Sequence, residues 1–173
     1  GPEDTYASYG YDWAGFSNTP FREFKSFVHE GGISTPLVIY WKGKVRKGIT
    51  NDLGHVIDIL PTCLDLAGID YPKTYKGNKI KPIEGKSLTK LFTGEQREGN
   101  KAVFFEHEGN RAIRKGDWKL VRKYKGAWEL FNMAKDRLET KNVITKKPEI
   151  ANELLKEYET WTEKAGVMEW FGF

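Results

Sequence analysis

The C-terminal half of the chain alternates apolar and polar residues over short stretches, and this pattern strongly constrains its fold. Trp118–Arg122 alternates apolar and basic side chains, which is typical of a strand buried on one face. Strands are also predicted at residues 102–105, 112–114 and 127–131. Residues 148–164 carry apolar side chains at helical spacing behind a proline, and Trp118, Leu120 and Val121 are predicted to pack on that helix. Antiparallel strands with one amphipathic helix predict a small α+β unit.

The first half of the chain follows a different pattern. Residues 37–41 form an unbroken apolar run, which predicts a strand covered on both faces in a parallel or mixed sheet. Residues 58–67 predict a helix that begins at Asp58, holds Pro61 in its first turn and stops at Gly68. A short helical turn is predicted at residues 88–92, and loops are predicted at residues 1–20 and 70–86.

The composition excludes several classes of protein. The 173 residues include 39% hydrophobic residues and six tryptophans, enough to fill a core. No run approaches the ~20 apolar residues of a membrane span. The formal charge of +4 is mild, and no basic run alternates with aromatic residues, so no nucleic-acid partner is predicted. The single cysteine, Cys63, excludes an internal disulfide and is predicted to be buried in its helix.

A lysine followed by two adjacent glycines marks a candidate site. Lys25 stands five residues before Glu30, and Gly31 and Gly32 come next. Two glycines allow a tight backbone path that a residue with a Cβ would resist. Such a path can hold one lysine over a small anionic group. By itself the stretch also fits an ordinary turn with a solvated lysine, because short motifs match by chance.

Several blocks of residues in a fixed order resemble the sulfatase family, the arylsulfatase-type sulfuric ester hydrolases. They include Ser-Asn-Thr-Pro-Phe-Arg at residues 17–22 and His-Glu-Gly-Gly at residues 29–32. The full set is residues 17–22, Lys25, 29–32, 35–37, 55–62, 65–68, 84–88, 106–114 and 116–121. The resemblance covers essentially the whole chain but only the C-terminal part of the family's pattern.

The resemblance implies a fold and an activity. Residues 1–98 would be the C-terminal part of the large, alkaline-phosphatase-like α/β domain, and residues 99–173 would form the small C-terminal α+β domain. Sulfatases hydrolyse sulfate monoesters through a formylglycine made from the Cys or Ser of Cys/Ser-x-Pro-x-Arg. Cys63 is followed by Leu-Asp-Leu-Ala, so it is not this nucleophile. We expect the nucleophile upstream of this chain, and we expect the chain alone to be inactive.

The resemblance also implies a cofactor and partners. A calcium ion would be held in the full-length enzyme by Asp and Asn side chains upstream of this chain. No metal ligands are predicted within the chain, because its histidines and carboxylates lack a metal spacing. The implied partners are a sulfated small-molecule or glycan substrate and the missing N-terminal part of the same protein. The family suggests a periplasmic, secreted or lysosomal location.

The resemblance assigns Lys25 to the sulfate group of the substrate, where an ammonium would favour negative charge on the leaving oxygen. His107 and Asn110, in a polar cluster between two predicted strands, are substrate-binding candidates. His29 is expected to support the loop, and Glu30 is expected to bond nearby backbone N–H groups. A sugar- or aryl-binding rim and ordinary packing both stay open for Tyr6, Tyr9, Tyr11, Trp13 and Phe16.

Two other functions stay open at this point. A phosphodiesterase or phosphonate monoesterase of the same superfamily would carry a Thr nucleophile upstream. A non-catalytic, sulfatase-derived carbohydrate-binding module would have no nucleophile segment at all. The upstream sequence separates these two from a sulfatase, because each of the three requires a different segment there.

Overall fold

The computed structural model describes residues 2–5 and 8–171, which form two compact units. Unit 1 combines Gly1–Pro36 with Ala102–Phe173. Unit 2 is Leu37–Lys101, which separates the two parts of unit 1 along the sequence. The domain division predicted after residue 98 concerns the whole protein and stays a prediction.

The described helices and strands are short, except for the last helix. The helices are α1 (Gly10–Ser17), α2 (Glu30–Ile33), α3 (Ile59–Ala67), α4 (Thr89–Thr93) and α5 (Pro148–Ala165). A 3-10 turn, Val56–Asp58, precedes α3. The strands are β1 (Thr74–Tyr75), β2 (Asn78–Lys79), β3 (Val103–His107), β4 (Asn110–Lys115), β5 (Trp118–Arg122) and β6 (Glu129–Asn132). Among the residues described, no helix is both long enough and apolar enough to cross a membrane.

Unit 1 is built on a four-stranded antiparallel sheet with the order β3-β4-β5-β6. Each strand pairs with the next one along the chain, so hairpin connections are sufficient. Ile113 lies opposite Leu120, which lies opposite Leu130, and all three are buried. This row packs against Ala151, Leu154 and Tyr158 of α5. The predicted antiparallel sheet packed on a C-terminal helix is confirmed.

The ends of α5 follow the sequence signals. Pro148 occupies the start of the helix, where its missing N–H breaks no helical bond, and Gly166 ends the helix with φ 71°. Trp161 stacks on Phe104 of β3, with ring centroids 5.0 Å apart and the ring planes 4° from parallel. The apolar side of α5 therefore fixes the helix against one face of the sheet.

The other face of the sheet is covered by the segment that precedes unit 2. Ala112, Val121 and Phe131 form a buried cluster with Val28 of that segment. The prediction that Val121 packs on α5 is wrong, because neighbours in a strand point to opposite faces and Leu120 takes the α5 side. The N-terminal segment of unit 1 is thus held against the sheet by a core of its own.

Unit 2 contains the predicted helix with its predicted end. The 3-10 turn and α3 together cover residues 56–67, and Gly68 stops α3 with φ 65°. The Asp58 carboxylate is buried and accepts hydrogen bonds from the backbone N–H of His55 at 3.0 Å and of Lys86 at 2.8 Å. The helical turn predicted at residues 88–92 is confirmed as α4, with the left-handed Gly94 after it.

Two predictions for unit 2 are wrong. Residues 37–41 form no strand, and Val38 is 88% exposed, because none of the described strands pairs with their backbone. Cys63 is exposed rather than buried, because α3 buries only Thr62 within the described residues. The apolar residues of α3 do lie at helical spacing, but most of the apolar face of the helix is uncovered in this unit.

The two predicted loops both contain regular structure. α1 occupies the second half of residues 1–20, with none of its residues buried, and Tyr9, which precedes it, is already helical in φ and ψ. Residues 70–86 contain the hairpin β1–β2, turned by Lys76 and Gly77 with positive φ. Both elements are short and exposed, so neither shows the apolar periodicity that sequence analysis detects.

Candidate functional site

The candidate site is the loop of residues 21–29 around Lys25, called the lysine loop below. Glu23 and Ser26, on either side of Lys25, adopt positive φ of 63° and 81°. The N–H of Phe27 donates to the carbonyl of Phe24 at 3.0 Å and closes a turn over the lysine. Positive φ is uncommon in residues with a Cβ, so the surrounding structure must hold this turn.

Lys25 is exposed, whereas its neighbours in the loop are engaged. Glu23 forms an ion pair with Lys123. The Lys123 ammonium also lies 5.0 Å from the ring centroid of Phe27. Arg22 donates to the carbonyl of Glu139 at 2.7 Å. Among the residues that the structure describes, Lys25 forms no hydrogen bond or ion pair, so its ammonium is available to a ligand.

Gly31 and Gly32 let the lysine loop lie directly against α2. A Cβ on Gly31 would stand 2.1 Å from the carbonyl oxygen of Glu23, and one on Gly32 would stand 2.0 Å from that of Phe27. The N–H of Gly31 donates to the carbonyl of Arg22 at 2.8 Å. The tight path predicted from the paired glycines is present, and the loop that it accommodates is the lysine loop.

Asn110 ties the lysine loop to the hairpin of β3 and β4. It is 6% exposed, and its amide nitrogen donates to the carbonyls of Ser26 and His107, both at 3.0 Å. Its amide oxygen accepts from the N–H of Tyr124 at 3.1 Å. Asn110 therefore fixes the residue next to Lys25, although sequence reasoning assigns it to the substrate. Substrate binding by Asn110 stays a prediction.

A buried ion cluster anchors α2 to the sheet, and we call it the Lys119 cluster: Lys119, Glu30 and Glu139. The Lys119 ammonium lies 2.9 Å from a Glu30 oxygen and 2.8 Å from a Glu139 oxygen, and all three side chains are at most 2% exposed. Glu139 also accepts from the N–H of Glu30 at 2.8 Å. Burial raises the pKa of Glu139 above its ordinary value, although the charge of Lys119 acts in the opposite direction.

The Lys119 cluster corrects one prediction and adds residues that sequence reasoning missed. Glu30 does not bond nearby backbone N–H groups as predicted, because the Lys119 ammonium takes its carboxylate. The available signal is the strand alternation, which places Lys119 on the face opposite Trp118 and Leu120. A lysine on that face points inward only if the N-terminal segment covers it, and the pattern of β5 says nothing about that segment.

His29 supports the loop from inside, as expected. It is 0% exposed, and its Nε2 lies 3.4 Å from a carboxylate oxygen of Glu129. Burial, reinforced by the positive charges of Arg22 and Lys119, lowers the pKa of His29 to about 3. The imidazole is therefore neutral near pH 7, and its contact with Glu129 is a hydrogen bond rather than an ion pair.

His107 is exposed at the tip of the β3–β4 hairpin. The tip turns through Glu108 and Gly109, with φ of 52° and 77°, and a carboxylate oxygen of Glu106 accepts the N–H of Gly109 at 2.9 Å. The hairpin predicted for this polar cluster is confirmed. Its tip adjoins the lysine loop through Asn110, and a substrate contact by His107 stays a prediction.

Part of the predicted aromatic rim borders the lysine loop. The hydroxyl of Tyr11 donates to Glu23 at 3.2 Å, and its ring meets Phe24 edge-on at 5.0 Å. Tyr9, Trp13 and Phe16 line an open concave surface on α1 with Ser8 and Ser17. Tyr6 lies outside the described residues. A role for these rings in binding sugars or aryl groups stays a prediction.

The described ranges, residues 2–5 and 8–171, contain no group of three His, Cys, Asp or Glu side chains able to hold a metal ion. The carboxylates next to the lysine loop are already engaged: Glu30 with Lys119, Glu23 with Lys123, and Glu129 with Arg22 and His29. The described residues thus do not fit a calcium site, and the expected calcium ion stays a prediction for the upstream part of the whole protein.

The family comparison covers the site and the sheet together. Residues 21–164 match the family model described as N-sulphoglucosamine sulphohydrolase, C-terminal. The chain belongs to the sulfatase family. The match begins at the first residue of the lysine loop and ends within α5, so both parts of unit 1 contribute to it. The resemblance to the C-terminal portion of a sulfatase is confirmed.

Individual sulfatases match part of this chain. An uncharacterised sulfatase of Schizosaccharomyces pombe is 33% identical over 125 residues, which are 70% of this chain and 23% of that protein. Arylsulfatase A of Homo sapiens is 30% identical over 101 residues, 55% of this chain and 18% of that protein. The arylsulfatase of Klebsiella aerogenes is 33% identical over 99 residues, which are 56% of this chain and 21% of that protein. The chain spans about a fifth of the length of these relatives.

A solved structure supports the fold. A chain from Bacteroides thetaiotaomicron, described under the metabolism of multiple glycosaminoglycans, matches with a TM-score of 0.67 and 19% identity. The match covers 83% of this sulfatase chain and 32% of that one. At this identity the likeness shows the fold alone, and it confirms the predicted α/β sulfatase fold.

Proposed function

We propose that this chain is the C-terminal part of an enzyme that hydrolyses sulfate monoesters of small molecules or glycans, and that Lys25 contacts the sulfate group. The lysine loop is the observation that carries the proposal. It presents an exposed lysine, without a partner among the described residues, on a turn held by Gly31, Gly32 and Asn110. Membership of the sulfatase family gives that lysine a matching substrate group.

The chemistry of an ammonium suits this role. Lysine is a compact point charge with three rotatable donors, and a sulfate ester offers several oxygens to such a donor. Negative charge grows on the leaving ester oxygen as the sulfur–oxygen bond breaks. A cation that is already in place stabilises this charge without having to reorganise during the reaction. The rigid turn around Lys25 is what would keep the cation in place.

The remaining machinery is proposed for the upstream part of the whole protein. A formylglycine hydrate there would supply the nucleophile, and a bound calcium ion would supply further positive charge to the sulfate oxygens. Within this chain, Lys25 binds the sulfate, and the Lys119 cluster and Asn110 orient the loop that carries it. The relatives are named as arylsulfatases and as N-acetylgalactosamine-6-sulfatase, so the proposal covers both aryl and sugar sulfates.

Substitution of Lys25 in the complete enzyme tests the proposal. Lys25→Ala removes one charge-assisted contact, and kcat/KM for 4-nitrophenyl sulfate should fall by ~10²-fold or more. Lys25→Arg keeps the charge and should retain part of the activity. Lys146→Ala removes another exposed lysine and should change kcat/KM by less than about threefold. A Lys25→Ala enzyme within that same margin would overturn the proposed contact.

The reaction class has its own test. The complete enzyme is assayed on 4-nitrophenyl sulfate and on 4-nitrophenyl phenylphosphonate, which share the leaving group but differ in the central atom. We expect the sulfate ester to give the higher kcat/KM. A preference for the phosphonate would replace sulfate hydrolysis with phosphonate monoester hydrolysis, whatever the effect of Lys25.

A further inference from the structure

Two arginines lie side by side on the α5 face of the sheet. Arg111 of β4 is directly opposite Arg122 of β5 in the register of the two strands. Side chains in this arrangement point to the same face with Cβ atoms roughly 4.5–5.5 Å apart, and like charges there repel. Burial lowers the pKa of Arg122, and the nearby charge of Arg111 lowers it further.

The described residues do not neutralise this pair. Neither guanidinium forms an ion pair with any of them, and the Nε of each is buried without an acceptor. Glu106 lies opposite Arg111 in the register and brings one negative charge to this face. It forms no ion pair with either arginine, and one of its oxygens accepts the N–H of Gly109. The pair therefore keeps an excess of positive charge and two donors that lack acceptors.

Two aromatic side chains next to the pair add no negative charge to that of Glu106. Arg122 lies over the ring of Trp128, with its central carbon 5.1 Å from the ring centroid. Tyr158 of α5 is 1% exposed, and its hydroxyl donates to the carbonyl of Phe105 at 3.2 Å. Burial raises the pKa of Tyr158 to about 12, so the phenol stays neutral beside the arginines.

We propose that Arg111 and Arg122 form a second anion site, which binds a sulfate-type oxyanion apart from the group that Lys25 contacts. A guanidinium presents a fork of N–H donors that matches two oxygens of such an anion, and a tetrahedral oxyanion has enough oxygens for two forks. The bound anion would accept from the outer N–H groups of both guanidinium groups and reduce their repulsion.

The position of the pair connects it with the lysine loop. Arg111 follows Asn110, which bonds Ser26, so the pair lies at the same end of the sheet as Lys25. Asn110 and Arg111 point to opposite faces, so one sulfo group cannot serve both sites. Two sources carry the required chemistry: a further sulfo group on a glycan substrate and the free sulfate released by hydrolysis. The choice between these two sources rests on the proposed function, whereas the anion site itself does not.

Arg114 provides a matched control. Its Nε is also buried without an acceptor, and it belongs to the same strand as Arg111. Its cross-strand neighbour is Lys119, whose charge is neutralised by Glu30 and Glu139. Arg114 thus shares the local features of the pair but lacks a second unneutralised cation beside it.

The test follows the arginine Nε–H signals of the 173-residue chain by NMR during titration with sodium sulfate, against sodium chloride at equal ionic strength. The signals of Arg111 and Arg122 should shift saturably with sulfate only. Arg111→Gln and Arg122→Gln should each weaken binding by about tenfold or more, the loss of one charge-assisted hydrogen bond. Arg114→Gln should leave the affinity within about twofold.

Further arms separate the outcomes. Shifts that are unsaturable, or equal in sulfate and chloride, would overturn the site. Saturation by glucosamine 6-sulfate, but not by glucosamine, would identify a substrate sulfo group, whereas saturation by inorganic sulfate alone would identify the product. Lys25→Ala should leave the titration unchanged, so the result does not depend on catalysis. If a Gln variant fails to fold, Arg111→Lys and Arg122→Lys keep the charge, lose the fork and should still weaken binding.

Discussion

At the scale of single residues, Lys119 places a fully buried positive charge inside the sheet. Its ammonium is 0% exposed in the middle of β5, where a charge is tolerated only if it is paired and hydrogen-bonded. The charge is paired with Glu30 and Glu139, which come from two other segments. One buried lysine thus joins α2, β5 and the loop after β6, and the position of the lysine loop depends on this contact.

Removal of Lys119 should destabilise the chain strongly. Lys119→Met leaves the Glu139 carboxylate buried without its cation and leaves Glu30 with only Arg137, whose Nε lies 3.8 Å away. The free energy of unfolding should fall by about 3–5 kcal/mol. Lys115→Met is the control, because its ammonium pairs with Glu153 and Glu157 at the surface and should be worth at most about 1 kcal/mol. Urea unfolding measures both variants, and equal losses would contradict the role of the buried cluster.

His29 should make the stability of the chain depend on pH. Its pKa is about 3 in the folded chain against 6.5 in the ordinary case, so the unfolded chain binds the extra proton between those values. The free energy of unfolding should therefore decrease by up to ~1.4 kcal/mol for each pH unit below 6.5. His29→Gln removes this titration, and its slope between pH 6 and 4 should be shallower by about that amount. Parallel slopes would show that His29 does not titrate in this way.

At the scale of elements, α2 and the lysine loop depend on the absence of two Cβ atoms. Gly31→Ala or Gly32→Ala would place a methyl group about 2 Å from a backbone carbonyl of the loop. Overpacking of this kind costs roughly 1–3 kcal/mol or forces the backbone to move. In the complete enzyme the same variants should lower kcat, because they displace Lys25.

Gly15 of α1 is the control for these glycines. No atom lies within 4 Å of its Cβ position, so Gly15→Ala should be neutral or stabilise the helix by up to about 1 kcal/mol. Thermal unfolding of the three variants gives the comparison. If Gly31→Ala melted at the temperature of Gly15→Ala, close approach of the lysine loop to α2 would be excluded.

The elements also show how far a sequence predicts this fold. The four strands, α3, α4 and α5 follow from local signals: alternation, proline at a helix start and glycine at a helix end. What covers each face of the sheet cannot be predicted in the same way. The surroundings of Val121 and Lys119 are known only once the N-terminal segment is placed. Residues 37–41 mislead for a related reason, since an apolar run predicts burial without saying what covers it.

The sequence likewise predicts only part of the candidate site. Paired glycines and the family pattern identify Lys25 and its loop, and both depend on residues adjacent in sequence. Asn110 reaches Ser26 of the loop from 84 residues away, and the carbonyl of Glu139 reaches Arg22 from 117 residues away. Lys119 acts through Glu30 of α2, 89 residues away. Contacts at such separations leave no periodic signal in a single sequence, so the residues that hold the loop become visible only in the structure.

At the scale of the whole molecule, the chain carries the lysine proposed to bind sulfate but spans only about a fifth of the length of its relatives. The chain alone should therefore show no turnover of an aryl sulfate. The assay uses the purified 173-residue chain with 4-nitrophenyl sulfate and added calcium, and the complete enzyme is the positive control. Calcium-dependent turnover well above the buffer blank would contradict this prediction.

The Lys119 cluster also sets an order of events during synthesis. Glu30 precedes Lys119 by 89 residues, and a ribosome adds about 5–20 residues each second. The lysine loop therefore leaves the ribosome roughly 4 to 18 seconds before its buried cation, and Glu139 arrives later still. For that interval the loop has no sheet to pack on. The residue proposed to touch sulfate is thus translated well before the sheet residues that hold its loop.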